Sequence, residues 1–181
     1  MSQTETVKAE LEARFPFLAG NVRLQRERRL WIEVGQDRFL EVFEHLVKGS
    51  QFTNLCTITG LDLGAELGFI YHLARDGGMM ANVRTRAAKG QAIRTVTHLF
   101  EGAAIYEREL EDLLGAKVDG LPSGPRYPLP DDWPTDEHPL LKDWKAKGGA
   151  AEAAAPAAPA ASAATPAAAP AAGAQEGAPR E

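Results

Sequence analysis

One cysteine, Cys56, stands in 181 residues, so no internal disulfide can form and a reducing, intracellular compartment is the natural expectation. No apolar run approaches the ~20 residues that a membrane-crossing helix needs. The first fifteen residues, MSQTETVKAELEARF, are polar and partly acidic, which is not the pattern of a secretory leader. Nucleotide-cradling glycine motifs of the GxGxxG and GxxxxGK[ST] types are absent. Metal chemistry is equally short of material. His45, His72, His98 and His138 are scattered without a second ligand at helical spacing, and Cys56 has no Cys-x-x-Cys companion. Its place in a β-branched apolar run predicts a small buried hydrophobe. The formal charge is −5 with no clustered basic face, so nucleic acid is a poor ligand. None of these residues resembles the working parts of an enzyme.

What is present divides the chain in three. Residues 148–181 are almost only Ala, Pro and Gly. Frequent prolines block helix, and large apolar side chains are missing, so a disordered, solvated tail is expected. Residues 1–118 carry alternating and helical periodicities. Val7, Leu11 and Phe15 fall at helical spacing over Thr4–Phe15, with Thr4 or Thr6 as the N-cap. Asn21–Val34 alternates on both sides of a charged turn, a hairpin pattern. Asp37 is positioned to cap a helix whose stripe is Phe39, Leu40, Phe43, Leu46 and Val47. Phe52–Leu61, Phe69–Ala74 and Met80–Ala87 read as strands, with the Gly77-Gly78 pair at a turn. Gln91–Leu99 reads as a helical turn, and Glu101–Leu114 as a helix ended by Gly115. The order predicts an α+β fold, a mixed or antiparallel sheet with helices on one face.

Residues 119–147 are the unusual part. Pro122, Pro125, Pro128, Pro130 and Pro134 impose an extended path, yet the same stretch carries Tyr127, Leu129, Trp133, Leu140, Leu141 and Trp144. Apolar anchors on a stiff strand are how extended arms dock into grooves at low entropic cost, so this segment reads as a docking arm. The helix before it places Tyr106, Leu110, Leu113 and Leu114 on one apolar face. Glu107, Arg108, Glu111 and Asp112 are expected to point away from the core, with Arg108 and Asp112 able to pair at i, i+4.

The run Gly60-Leu61-Asp62, Tyr71-His72-Leu73, Ala104 with Tyr106-Glu107-Arg108-Glu109, Asp112 and Leu114-Gly115, then Gly120-Leu121-Pro122, Asp131-Asp132-Trp133-Pro134 and Pro139-Leu140-Leu141-Lys142-Asp143 resembles the 30 kDa-subunit family of respiratory complex I, the NADH–quinone oxidoreductase. It also resembles the counterparts in membrane-bound energy-converting [NiFe] hydrogenases. Leu121 stands where complex I members carry histidine, Gly124-Pro125-Arg126 where they carry an arginine pair, and Leu141 where they carry arginine. Those departures point to the hydrogenase side, with complex I proper and a free-standing assembly adaptor as alternatives. The resemblance implies an accessory subunit without a cofactor of its own. Iron–sulfur clusters and a nickel–iron or quinone site would lie in its partners, a large catalytic subunit of 49 kDa or [NiFe] type and a small iron–sulfur subunit. It also implies a peripheral place on the cytoplasmic side of the inner membrane. The docking residues it implies are Tyr106, Glu107, Arg108, Glu109, Asp112, Pro122, Arg126, Asp132, Trp133, Pro139, Leu140, Lys142, Asp143 and Trp144. A chain ending at Lys147 is expected to join its complex at the full-length yield, measured by co-purification; loss of assembly would show that the tail does more than solvate.

Overall fold

The computed structural model describes residues 2–146. The expected tail, residues 148–181, lies outside them. Helix α1 (Gln3–Arg14) is capped by Ser2, not by a threonine: the Ser2 hydroxyl accepts from Glu5 N while Glu5 accepts from Ser2 N. The hairpin β1 (Val22–Arg26) and β2 (Arg29–Glu33) follows, and then α2 (Gln36–Lys48), whose cap is Gly35 with Asp37 inside the first turn. Strands β3 (Asn54–Asp62), β4 (Glu66–Arg75) and β5 (Met79–Ala88) form a meander. A short β6 (Ala92–Arg94), α3 (Ala103–Leu114) and β7 (Lys117–Asp119) close the domain.

Five strands make one mixed sheet in the order β1-β2-β5-β4-β3, parallel only between β2 and β5. Register shows how alternation divides its faces. The row Ile58, Tyr71, Val83, Ile32, Val22 runs across all five strands and is buried throughout. Helix α2 lies on this face, with the Phe39 and Phe43 rings 4.7 and 5.3 Å from that of Tyr71. Helix α3 joins it beside β3, where Gly60 leaves room for Leu110 and Leu114. One residue along, the row Thr57, His72, Asn82, Trp31, Arg23 lines the opposite face, where no helix packs among the described residues. His72 is held there by Thr59 Oγ1 at 3.0 Å and Asn82 Oδ1 at 2.7 Å.

Two further expectations are corrected. Gln91–Leu99 is not helical: Ala92–Arg94 pairs in parallel with Lys117–Asp119, and α3 is the crossover between them. Ile93 is buried, flanked by exposed neighbours, a strand pattern too short to carry a period by itself. Cys56 is exposed rather than buried, because it falls where the β3–β4 register slips between Leu55 and Thr57.

Gly115 ends α3 in the left-handed region, at φ 66°, with the His138 ring 2.6 Å from where a Cβ would stand. Gly115→Ala is therefore expected to lose about 1–2 kcal/mol from backbone strain alone. A thermal melt unchanged from the wild type would contradict this.

Candidate docking site

The arm does not leave the domain. From Gly120 onward it folds back along α3 and reaches the end of β3, and two carboxylates hold it there. Asp112, on the outer side of α3, accepts from Arg126 Nε at 2.7 Å and from Leu129 N at 3.3 Å. The Asp112 carbonyl contacts His138 Nδ1 at 2.8 Å, and Arg126 Nη1 donates to the Trp133 carbonyl at 2.5 Å. Asp62, at the C-terminal end of β3, accepts from Lys142 N at 2.8 Å and Gly64 N at 2.8 Å, with Lys89 Nζ at 3.1 Å. The donated amide of Lys142, then that of Gly64, and the Lys89 ammonium hold its pKa down at about 2. Between the two carboxylates, Leu140 N donates to Leu113 O at 2.9 Å.

The expected docking residues are distributed unevenly over this arrangement. Glu107 is corrected outright. It is fully buried, accepting from Thr95 Oγ1 at 2.6 Å and Val96 N at 2.8 Å, so it braces the β6–α3 connection. Burial pushes its pKa up while those two hydrogen bonds pull it down. Tyr106, half-buried, donates its hydroxyl to the Cys56 carbonyl at 3.1 Å and ties α3 to β3. Arg108 does not pair with Asp112; it donates to the Pro122 carbonyl at 2.9 Å, and the absence of a side chain at Gly124 makes room for its guanidinium. Trp133 and Trp144 are half-buried against each other, ring centroids 6.0 Å apart, and both indoles donate to Glu137. Pro139 is half-buried, while Asp132, Asp143 and the Lys142 side chain are exposed. Glu109 is half-buried, and its carboxylate has no hydrogen bond or ion pair to another described residue.

Large apolar groups remain uncovered along one side. Ile105 is 52% exposed, Tyr127 46% and Leu140 56%. They border a groove of about 770 Å³ near Leu55 and Phe100, and a second of about 260 Å³ between β3 and α3. Acid–base chemistry between Asp62 and His72 is excluded by register. Asp62 faces Leu67 and His72 faces Thr57, so the two lie five residues apart along the strands, ~16 Å, and on opposite sheet faces. Among the described residues no group of three or more His, Cys, Asp or Glu is placed to hold a metal ion. None of the described helices is long and apolar enough to cross a membrane.

Similarity to known proteins supplies the family. The profile of the respiratory-chain NADH dehydrogenase 30 kDa subunit matches residues 32–150, and the chain belongs to that family. A subunit of the F(420)H(2) dehydrogenase of Methanosarcina mazei is 30% identical over 144 residues, covering 77% of this chain and 90% of that one. The membrane-bound hydrogenase subunit beta of Pyrococcus furiosus is 26% identical, covering 80% and 88%. Among solved structures, a chain of the membrane-bound sulfane sulfur reductase, an archaeal respiratory membrane complex, superposes with a TM-score of 0.71. That match is 26% identical and covers 80% and 86% of the two chains. The chain is thus a subunit of the kind found in complex-I-related, membrane-bound dehydrogenase and hydrogenase complexes.

Asp62 was legible only as the strand-borne aspartate of a family motif, and His138 carried no signal at all, since its partner is a backbone carbonyl. The Asp62 contacts have a pH signature. Its pKa in the folded chain lies below the ordinary 3.8, so the stabilisation is complete above that value and is lost as pH falls toward about 2. In a Trp31→Phe chain, the fluorescence of Trp133 and Trp144 should change through that window. The change should vanish in Asp62→Ala; a transition insensitive to that substitution would contradict the assignment.

Proposed function

We propose that this chain is an accessory subunit without a cofactor of its own, which docks on and positions the large catalytic subunit of a membrane-associated redox complex. The observation that carries the reading is the uncovered apolar surface at Ile105, Tyr127 and Leu140, which are more exposed than the other large apolar side chains left in water, Phe17, Leu24 and Leu63. Leaving such groups in water costs about 25 cal/mol for each Å² of apolar surface, and a partner's surface recovers it. Electrons pass through neighbouring subunits, a large catalytic chain of 49 kDa or [NiFe] type and a small iron–sulfur chain. Those carry the iron–sulfur clusters and the nickel–iron or quinone site. Attachment to the cytoplasmic face of the inner membrane is peripheral, made through the complex.

The arm takes a different part in this reading from that of a free strap. Arg126, Leu129, His138 and Lys142 are engaged within the chain, so the arm is a preformed wall of the docking surface. Prior ordering lowers the entropy lost on association. Exposed Asp132 and Asp143, with Glu109 on α3, supply the polar margin, and Pro122 adds an exposed apolar ring. Between the two reaction types, Leu121, Gly124 and Leu141 favour the hydrogenase-like side over a complex I proper.

Native purification through a tag on this chain should bring down a large subunit and an iron–sulfur protein. The isolated chain should show no visible absorbance, and nickel should follow the large subunit. A stoichiometric cluster or flavin on the isolated chain, or its migration solely as a monomer in native extract, would overturn the reading.

A further inference from the structure

The sheet has two edges, and they are protected very differently. Edge strand β1 is five residues long, carries Arg23 and Arg26, and slips register between Leu24 and Arg26. Short length, charge and a bulge are the usual means by which an edge is kept from pairing with another chain. Edge strand β3 is nine residues long and reads Asn-Leu-Cys-Thr-Ile-Thr-Gly-Leu before its terminal Asp62, with no charge and no proline in that stretch. Its bulge lies at the Cys56 end, where the Cys56 carbonyl is already occupied by the Tyr106 hydroxyl. Beyond it, Thr57–Leu61 is regular strand, hydrogen-bonded to β4 on one side only. No described residue donates to or accepts from its outer backbone groups.

A bed has been prepared alongside. The groove of about 260 Å³ that flanks Thr57–Gly60 is floored by Leu110 and Leu114, walled by Leu113 and Leu140, and edged by Glu109. At the Asn54 end the larger groove continues the surface past Tyr106 to Ile105, with Glu101 at its rim. An unpaired strand edge takes main-chain hydrogen bonds from an extended segment, while an adjoining apolar groove takes every second side chain. The carboxylates at the margins, Glu109 unpaired within the described chain, set the complementary sign.

We infer that Thr57–Leu61 is completed by a sixth strand from the neighbouring subunit, an extended segment with apolar residues at alternate positions and a lysine or arginine opposite Glu109. This rests on the subunit reading above and assigns the edge on which that reading is realised. Pairing would extend the sheet from five strands to six and place the added segment between β3 and the apolar side formed by Ile105 and Leu140. A second copy of this chain pairing β3 to β3 is the competing occupant. It brings no basic residue from the uncharged stretch 54–61 to Glu109.

Amide hydrogen exchange on the isolated chain and on the natively purified complex distinguishes these. The outward amides of Thr57–Leu61 should exchange freely in the isolated chain and slow at least a hundredfold in the complex. Glu109→Lys should lower recovery of the complex at least tenfold while leaving the melt of the isolated chain unchanged. If the wild-type chain recovers no large subunit, the subunit reading itself fails. If it recovers one while exchange over Thr57–Leu61 is unaltered, or Glu109→Lys assembles as well as wild type, the strand-addition inference alone is overturned. A dimer of the isolated chain in sedimentation, with the same amides already slow, would likewise overturn it in favour of self-pairing.

Discussion

Two buried or half-buried carboxylates, Asp62 and Asp112, hold the arm that follows Gly120 in place. A polar group removed from water must be repaid by hydrogen bonds: the side-chain oxygens of Asp112 are met by Arg126 and Leu129 of the arm, and those of Asp62 by the arm's Lys142 amide together with Gly64 and Lys89. The exchange works in both directions. Extended, proline-interrupted backbone has few partners of its own, and Asp62 and Asp112 accept the Lys142 and Leu129 amides that no strand or helix would have used. Arg126 adds a charged hydrogen bond to one side and fixes Trp133 through its carbonyl on the other. On the function proposed above, this makes a docking surface whose shape exists before the partner arrives.

The sheet gives that surface its position. Alternation places Ile58, Tyr71, Val83, Ile32 and Val22 under the helices and leaves the opposite face polar and aromatic. Helix α3 lies at the β3 end of the sheet, fitted over Gly60 and tied by Tyr106 to the Cys56 carbonyl. Its burial of Glu107 looks expensive, but the acid accepts from the Val96 amide, for which no other acceptor is present, and from the Thr95 hydroxyl. The apolar side that remains, from Ile105 to Leu140, is therefore a product of how α3 and the arm are anchored.

Much of the fold was legible from periodicity. The β-hairpin, α2, the β3–β5 meander and α3 with Gly115 as its cap all follow from spacing strong enough to survive any tertiary context. The three-residue strands β6 and β7 were not legible, since pairing between segments more than twenty residues apart leaves no local pattern. Glu107 was misplaced because helical spacing assigns charged residues outward by default, and the Thr95 and Val96 donors that draw it inward are set by tertiary structure. Cys56 was misplaced for a related reason: a bulge shifts alternation by one residue, and no composition signals it. In the arm, the aromatic and apolar anchors were evident, but their partners lie within the chain: Trp133 and Trp144 pack on each other and donate to Glu137, and Leu140 lies beside α3 and β3. Only Tyr127 and Leu140 among them retain large exposed areas.

A preformed docking surface requires the arm to be ordered by its carboxylate contacts before any partner binds. Residue-resolved hydrogen exchange of the isolated chain at neutral pH measures this directly at the Leu129, Leu140 and Lys142 amides. Protection well above that of an unstructured peptide at all three is the expected result. Exchange at unstructured rates, with the rest of the domain protected, would mean that the arm is free in the lone chain and that the preformed surface does not exist.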